Sequence, residues 1–141
     1  MRYHFKMHKE GKSFWAECLE LKGCITQGNS KAELLENMQE ALNLYLEEPE
    51  NSSYLAPLPK KIKKTTASII EVHVDPEIAF SFLVRYYRIK NNMTQAELAK
   101  ELGFKRIYSY QRLERKCNPT LETIFMIKSF FPEFSIDYAL S

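Results

Sequence analysis

Residues 93–121 contain the feature that most restricts the fold of this chain, namely two short helical segments joined by a glycine. Thr94 is a favourable N-cap residue, and Glu97, three positions later, completes a capping box at the start of the first helix. Gly103 can take the left-handed conformation in which such helices end, and residues 105–115 predict a second helix. Two short helices joined by a tight glycine turn are typical of the helix-turn-helix unit, whose second helix lies in the DNA major groove.

The second predicted helix carries polar side chains opposite an apolar side formed by Phe104, Tyr110 and Leu113. Arginine can pair with guanine and glutamine with adenine, and serine or tyrosine can bond phosphates or base edges. Free N–H groups at the N-terminus of the first helix attract a phosphate. Because a basic helix pair also occurs in proteins that never bind DNA, a merely solvated surface is the alternative reading. The residues predicted to contact DNA are Thr94, Gln95, Lys105, Arg106, Tyr108, Ser109, Gln111, Arg112 and Asn118.

Charge is distributed unevenly along the 141 residues, whose formal net charge is +2. Residues 1–58 hold six Lys or Arg against nine Asp or Glu, a net charge of −3, whereas residues 84–116 hold nine against three, a net charge of +6. Binding to nucleic acid depends strongly on neutralising phosphates with basic side chains. The pattern therefore favours a chain that contacts nucleic acid with its second half and another partner with its first.

The cysteines, histidines and apolar content exclude several classes of protein. Cys18, Cys24 and Cys117 form neither an even set nor a C-x-x-C pair, so neither a disulfide framework nor a zinc site is expected. His4 and His8 would lie about 13 Å apart along one strand, too far to share a metal, and we expect them to be exposed or loosely paired. No apolar run approaches the roughly 18 residues of a membrane span. We therefore expect a soluble, cytoplasmic protein with no metal, cofactor or membrane contact.

Four segments of the first half have the character of strands. Residues 2–9 alternate apolar and polar side chains, and residues 13–19 return after a glycine turn as the partner of a hairpin. Residues 24–27 predict a third short strand. Residues 67–74 alternate again and predict a last strand that completes the sheet.

One helix is expected between the third and fourth strands. A second capping box, formed by Ser30 and Glu33, starts it, and it stops before Pro49. Residues 49–66 are rich in proline and lysine and predict a long loop, of the kind that tends to be functional or mobile. The predicted inner stripe of the helix comprises Leu35, Met38, Ala41, Leu42 and Tyr45.

Helices dominate the rest of the chain. Asp75 as a cap, with Pro76 at the first helical position, starts a helix before the predicted helix-turn-helix, and Thr120 caps a further helix after it. The fold class is thus α+β, with strand, strand, strand, helix and strand in residues 1–75 and an all-α domain in residues 76–141. The tail holds more apolar side chains than so small a core needs, so we expect part of it to form a dimer contact. These tail residues are Phe134, Ile136, Tyr138 and Leu140.

Both halves resemble known families. The string MTQAELAKELGF, the later RLER and the residues 118–121 are similar to the Cro-like (XRE-type) helix-turn-helix family. Compared with the usual pattern, there is one more residue between Gly103 and Glu114 and one fewer between Glu114 and Asn118, which leaves two registers of the second helix open. In the first half, LKGC at positions 21–24 and TQG at positions 26–28 resemble the HicB antitoxin family, although Lys22 stands where that family commonly has proline.

The resemblance implies a truncated ribonuclease-H-like domain in residues 1–75, including the loop 49–66, that binds a toxin. It also implies a DNA-binding and dimerisation domain in residues 76–141. HicB-like proteins neutralise a HicA-like mRNA-cleaving toxin and repress their own operon as type II antitoxins. The expected partners are such a toxin, operator double-stranded DNA and a second copy of the chain, with a higher oligomer when toxin is bound. No particular toxin-contacting residue is implied.

Two other functions compete with this one. A ribonuclease needs several carboxylates converging on divalent metal ions, whereas no Asp occurs before Asp75 and the glutamates of the predicted helix mostly follow its solvent side. We therefore expect no enzyme. The second alternative is a stand-alone transcriptional repressor whose first domain senses a ligand, which would require an apolar pocket in that domain.

Overall fold

The computed structural model describes residues 1–47, 53–62 and 66–141, and these divide into two compact units. The first, which we call the sheet unit, comprises Met1–Leu46 and Ala56–Val74. The second, the helical unit, is formed mainly by Asp75–Ser141. The predicted α+β class is confirmed, because the sheet unit contains four strands and one helix and the helical unit contains helices.

The sheet unit contains one antiparallel sheet of four strands in the order β3-β2-β1-β4. Three strands and a helix precede the last strand, as the sequence predicts, and each strand boundary lies within two residues of its predicted position. The strands are β1 (Arg2–Glu10), β2 (Ser13–Cys18), β3 (Ile25–Gly28) and β4 (Ile69–His73).

Helix α1 (Lys31–Leu46) covers one face of this sheet. Ser30 caps the helix as predicted, because its Oγ accepts from Glu33 N–H at 3.1 Å, but the Glu33 carboxylate accepts from Asn29 N–H, one residue before the cap, at 3.1 Å. Gly28 permits the close approach of α1 to β3, since a Cβ there would lie 2.7 Å from the backbone nitrogen of Leu34.

The predicted inner stripe of α1 is wrong in part. Leu35 is 41% exposed, and the side chains that pack inward recur every four residues. Adjacent leucines at positions 34 and 35 make two stripes possible, and the periodicity alone does not choose between them. The buried set is Leu34, Met38, Leu42 and Leu46.

The prediction that His4 is exposed or loosely paired is also wrong. His4 is buried, and its Nδ1 lies 2.8 Å from Oε2 of the buried Glu20, while its backbone N–H donates to Glu20 Oε1 at 2.9 Å. Lys60 N–H donates to Glu20 Oε2 at 3.1 Å. A carboxylate that accepts two backbone N–H groups and faces an imidazole can stay buried because its polar atoms are satisfied.

Part of the predicted Pro/Lys loop packs on the sheet unit. Ala56 is buried and the hydroxyl of Tyr3 donates to the carbonyl of Pro57 at 2.9 Å. Residues 53–62 form neither helix nor strand, as predicted for this loop, and these contacts together with the Lys60 hydrogen bond attach residues 56–60 to the sheet unit. Residues 48–52 and 63–65 of the same region lie outside the described residues.

The helical unit is organised around α2, which is buried along most of its length. Thr120 caps α5 as predicted, since its Oγ1 accepts from Thr123 N–H at 3.2 Å. The elements of the helical unit are α2 (Pro76–Lys90), α3 (Gln95–Glu101), α4 (Ile107–Gln111), a 3-10 turn (Arg112–Glu114), α5 (Leu121–Phe130) and α6 (Ile136–Leu140).

The apolar tail, part of which is predicted to form a dimer contact, packs partly against its own unit. Phe134 is fully buried and its ring meets that of Phe80 edge to face, with centroids 5.7 Å apart. Ala139 on α6 is buried as well, whereas Leu140 is 58% exposed. Part of the tail therefore completes the core of its own unit, and the dimer contact stays a prediction.

Candidate nucleic-acid interface

Helix α3 begins where the capping box predicts. Thr94 has extended backbone dihedrals, and its Oγ1 accepts from Glu97 N–H at 3.1 Å. The hydroxyl thereby satisfies one of the N–H groups that the first helical turn leaves without a backbone partner. Leu98 and Ala99 are buried, which turns the opposite side of α3 towards solvent.

The turn after α3 depends on Gly103, whose φ of 81° is left-handed. Phe104 N–H donates to the carbonyl of Ala99 at 2.9 Å, and Gly103 N–H donates to that of Lys100 at 3.1 Å. This pair of bonds is the Schellman motif that ends many helices, and it favours glycine because a side chain at positive φ is strained. The predicted role of Gly103 is confirmed.

The second helix is shorter than predicted. Residues 105–115 were expected to be helical, but Arg106 is extended at the N-cap of α4, which ends at Gln111 and continues as the 3-10 turn Arg112–Glu114. Tyr110 and Leu113 do point inward as predicted, and Tyr110 meets Phe104 at a centroid distance of 6.0 Å. This 3-10 turn ends at Glu114, whose buried carboxylate contacts Arg88.

A buried ion pair lies at the centre of this arrangement. Glu114 accepts from Arg88 Nε at 2.7 Å and Nη2 at 3.0 Å, and both side chains are more than nine-tenths buried. The hydroxyl of Tyr110 also donates to Glu114, and Gln95 Nε2 donates to it at 3.3 Å. Arg88 Nη1 donates to the carbonyl of Met93 at 2.9 Å. One carboxylate thus ties α2, the start of α3, α4 and the 3-10 turn together.

The ionisation of these groups follows from burial and mutual charge. Burial and the adjacent carboxylate of Glu114 raise the pKa of Tyr110, which therefore remains a hydrogen-bond donor. Burial lowers the pKa of Arg88, but hydrogen bonds and charge from Glu114 outweigh it and raise that pKa overall. The Tyr110 hydroxyl therefore stays protonated and Arg88 stays positively charged throughout the physiological range.

The outward side of α3 and α4 presents a pair of amides. Gln111 Nε2 donates to Gln95 Oε1 at 3.0 Å, and Gln95 is held in turn by Glu114. Both glutamines line a groove of about 710 Å³, together with Thr94 and Ile107. The structure thus brings three of the predicted DNA-contacting residues, Thr94, Gln95 and Gln111, to one groove.

The other predicted contacts lie on exposed segments. Lys105 and Arg106 precede α4 and do not belong to it, Arg112 opens the 3-10 turn, and Asn118 lies between that turn and α5. Lys105, Arg106 and Arg112 are all exposed, so their charged groups are open to solvent. Tyr108, 59% exposed, and Ser109 lie on the outer side of α4.

Two residues that shape this site, the exposed Ile107 and the buried Glu114 that holds Gln95, are not among the predicted contacts. Ile107 is 45% exposed at the first position of α4, beside the two glutamines. Isoleucine is ordinarily a core residue, so the residue type does not predict that Ile107 is exposed. Glu114 is the single acid in the basic stretch RLERK at positions 112–116, and this contrast is the sequence signal that could indicate an ion-pair partner.

The side chains of this surface can pair with polar, charged and apolar groups of a ligand. Amide side chains fixed by a second hydrogen bond can present a donor and an acceptor to a base edge without losing as much conformational freedom. Exposed guanidinium and ammonium groups beside them can neutralise phosphates. Apolar contact from Ile107 suits a thymine methyl group, as other apolar side chains do.

The possible metal ligands of the two units are histidines, cysteines and acidic residues. Among residues 1–47, 53–62 and 66–141, no group of three His, Cys, Asp or Glu side chains is placed to hold a metal ion. The two ring nitrogens of His4 face different carboxylates, with Nδ1 at 2.8 Å from Glu20 and Nε2 at 3.4 Å from Glu71. Cys18, Cys24 and Cys117 are free thiols.

No helix in the described part of the chain is both long and apolar enough to cross a bilayer. Comparison with protein families finds none that matches this sequence, and a search of curated proteins finds no similar one.

Proposed function

We propose that the helical unit binds double-stranded DNA as a helix-turn-helix, with α4 as the reading helix. The observation that carries the proposal is the Gln95–Gln111 pair, which is hydrogen-bonded at 3.0 Å and lines a groove. Two exposed basic residues adjoin this groove in the sequence, since Arg106 precedes Ile107 and Arg112 follows Gln111. A pair of amides held in this way is suited to reading a base edge, and the surrounding cations supply affinity.

The buried cluster gives this surface its rigidity. Gln95 belongs both to the exposed pair and to the hydrogen-bond set of Glu114, so the position of the reading surface is linked to the core of the unit. A DNA-reading surface gains from such a link because contacts to base edges tolerate little displacement. Arg112, at the end of α4, would contact phosphate or guanine.

We further propose that the chain is a type II antitoxin and autorepressor whose sheet unit holds a HicA-like toxin. The support is the resemblance of its motifs, together with the structural roles of two glycines within those motifs. Gly28 permits the contact of β3 with Leu34, and Gly23 occupies a turn at a φ of 85°. Exposed glutamates on α1, among them Glu36 and Glu40, suit a basic toxin. This role requires binding and no catalysis.

A stand-alone repressor with a ligand-sensing sheet unit is the second candidate. One observation favours it, a groove of about 550 Å³ near the ends of β2 and β3 that includes Trp15, Ile25 and Gln27. Grooves of this size accommodate small ligands. The adjacent reading frame separates the two functions, because an antitoxin requires a gene for a small basic toxin beside its own.

The proposal is tested with the full chain and the DNA immediately upstream of its own gene. We expect fluorescence anisotropy to show binding that is tighter than to a shuffled duplex of equal length and that weakens as salt rises. In parallel, the neighbouring small gene is expressed alone and together with this chain. Growth arrest that co-expression relieves is the expected result, and arrest that persists would contradict the antitoxin role. Equal affinity for both duplexes would contradict the repressor role.

A further inference from the structure

Two of the three cysteines lie opposite each other where β2 ends and β3 begins. Glu17 of β2 pairs with Ile25 of β3 in the antiparallel register. The next pair along the two strands is therefore Cys18 and Cys24, and Cys18 N–H donates to the Cys24 carbonyl at 2.9 Å. Because opposite residues of an antiparallel pair point to the same face of the sheet, the two side chains are direct neighbours.

The pairing gives these cysteines the separation that a disulfide requires. Opposite residues of an antiparallel pair have Cα atoms about 4.5–5.5 Å apart, and disulfide-bonded cysteines have them about 4.4–6.8 Å apart. Both side chains are buried, with 7% exposure for Cys18 and 3% for Cys24. Burial raises the pKa of Cys18, and the charges of Glu20 and Cys24 raise it further, so the two thiols lie within electrostatic range of each other.

A bond between these cysteines would act on the turn that contains Glu20. The Glu20 carboxylate accepts from the backbone N–H groups of His4 and Lys60. It also accepts from the Cys18 thiol at 3.8 Å. Oxidation would remove this thiol proton and close residues 18–24 into a small loop. It would therefore alter the surroundings of the carboxylate that connects two distant segments of backbone.

We propose that Cys18 and Cys24 are a dithiol that a small-molecule disulfide, such as oxidised glutathione, converts into a disulfide. In the first step the thiolate of one cysteine attacks a sulfur of the small disulfide, whose S–S bond breaks, and one small thiol leaves. In the second step the thiolate of the other cysteine attacks the protein sulfur of this mixed disulfide, and the second small thiol leaves. The protein gives up two electrons and two protons, which reduce the small disulfide to two thiols.

The inference goes beyond the proposed function, since neither DNA binding nor toxin binding needs a thiol. It also differs from a permanent disulfide framework, because disulfides of reducing compartments are usually transient and redox-sensing. Burial raises the pKa of Cys18 to about 12 and that of Cys24 to about 11, so few thiolates exist at neutral pH and the exchange is slow. The pair therefore responds to sustained oxidation.

The first experiment identifies the bond in the full chain. The protein is brought to equilibrium at about pH 8.5 with glutathione buffers of increasing oxidised fraction, and the remaining thiols are then alkylated. Trypsin cleaves after Lys22, between the two cysteines, so the peptides 13–22 and 23–31 should stay joined until the bond is reduced. Alkylation of all three thiols in every buffer, glutathione adducts alone, or a bond to Cys117 in place of the Cys18–Cys24 bond would overturn the inference.

Serine substitutions provide the controls. Cys117→Ser keeps the pair and should form the bond as the unaltered chain does. Adding Cys24→Ser to that variant leaves one thiol, which should accumulate only the mixed disulfide with glutathione. Far-UV circular dichroism verifies that each variant is folded. Loss of the bond in Cys117→Ser would show that the third cysteine takes part, and the assignment to Cys18 and Cys24 would then be wrong.

The second experiment separates the folded geometry from proximity in the sequence. Two cysteines six positions apart can also pair in an unfolded chain, so the same equilibrium is measured in concentrated urea. The Cys117→Ser chain should form the bond about tenfold or more favourably when it is folded. By linkage, its oxidised form should then unfold at a higher urea concentration, as the fluorescence of Trp15 reports. An equilibrium constant that is equal or smaller in the folded chain would show that the strands do not hold the cysteines in bonding geometry, and it would overturn the inference.

Discussion

Each unit contains a buried glutamate, and the two are satisfied in different ways. Glu114 of the helical unit meets side chains, above all the guanidinium of Arg88 at 2.7 Å. Glu20 of the sheet unit accepts from the backbone N–H groups of His4 at 2.9 Å and Lys60 at 3.1 Å, with the His4 ring as a further neighbour. Glu114 therefore balances the buried positive charge of Arg88, whereas Glu20 connects two segments of backbone that are distant in the sequence.

The difference predicts unequal costs of removing the two carboxylates. Glu114→Ala leaves the buried guanidinium of Arg88 without its counter-charge, and we expect a loss of about 3–5 kcal/mol in the free energy of unfolding of the helical unit. Urea titration followed by far-UV circular dichroism measures it. Glu101→Ala, at the exposed end of α3, is the control and should change stability by no more than about 0.5 kcal/mol. A cost below about 1 kcal/mol for Glu114→Ala would show that Arg88 finds another partner.

The corresponding change in the sheet unit should cost less. Glu20→Ala leaves two backbone N–H groups without their acceptor, and we expect a loss of about 2–3 kcal/mol in the free energy of unfolding. The fluorescence of Trp15, the single tryptophan of the chain, reports on this unit. Glu36→Ala on the exposed side of α1 is the control. The comparison breaks if Glu20→Ala proves more costly than Glu114→Ala.

The two networks should also differ in their influence on DNA. Arg112 follows α4 on the reading surface, and Arg112→Ala should weaken binding to upstream DNA by about 1–3 kcal/mol if the guanidinium pairs with a base. A folded Glu20→Ala chain should bind that DNA as the unaltered chain does, because Glu20 belongs to the sheet unit and the proposed DNA contacts to the helical unit. Anisotropy titrations of both variants at one salt concentration test the contrast. Unchanged affinity of Arg112→Ala would select the other of the two registers that the sequence permits.

The smallest predicted effect concerns alkaline pH. Burial raises the pKa of Cys18 from about 9 to about 12, and its thiol donates to Glu20 at 3.8 Å. The folded state keeps this proton after the unfolded chain has lost it, so the contribution is complete below pH 9 and declines as pH rises from 9 towards 12. The urea midpoint reported by Trp15 should therefore fall between pH 8 and about pH 10, and less so in Cys18→Ala. Equal declines in the two proteins would assign the effect to other groups, such as Cys24.

Much of the local structure could be predicted from the sequence because local rules decide it. The helix caps at Thr94 and Ser30 and the left-handed Gly103 depend on residues within a few positions of each other. The alternation of residues in β1 likewise locates that strand and the buried Tyr3 and Phe5.

The two glutamates could not be assigned in this way. Arg88 and Glu114 are 26 positions apart, and Lys60 and Glu20 are 40 positions apart. Such contacts depend on tertiary packing, which neither composition nor periodicity specifies. The prediction that His4 is exposed failed for this reason, since the segment that includes Lys60 returns to the side of the sheet where alternation predicts solvent.

The sequence predicts which residues near α4 are exposed better than it predicts how they are arranged. Residues 105, 106 and 112 are basic and exposed as expected, but the first two precede α4 because Arg106 is extended. The amide pair of Gln95 and Gln111 required the turn at Gly103 to bring two helices together. The sequence therefore indicated the candidate surface but not which of its side chains are held rigidly.

The most direct test of DNA binding by the α3–α4 surface is the salt dependence of binding to upstream DNA. Each phosphate contact contributes about 0.9 to the slope of log affinity against log salt. The triple variant Lys105→Ala, Arg106→Ala, Arg112→Ala should lower that slope by about 2 to 3 per chain. The triple variant Lys6→Ala, Lys12→Ala, Lys22→Ala removes the same charge from exposed positions of the sheet unit and should leave the slope unchanged. Equal slopes for the unaltered chain and the first variant would contradict binding through this surface.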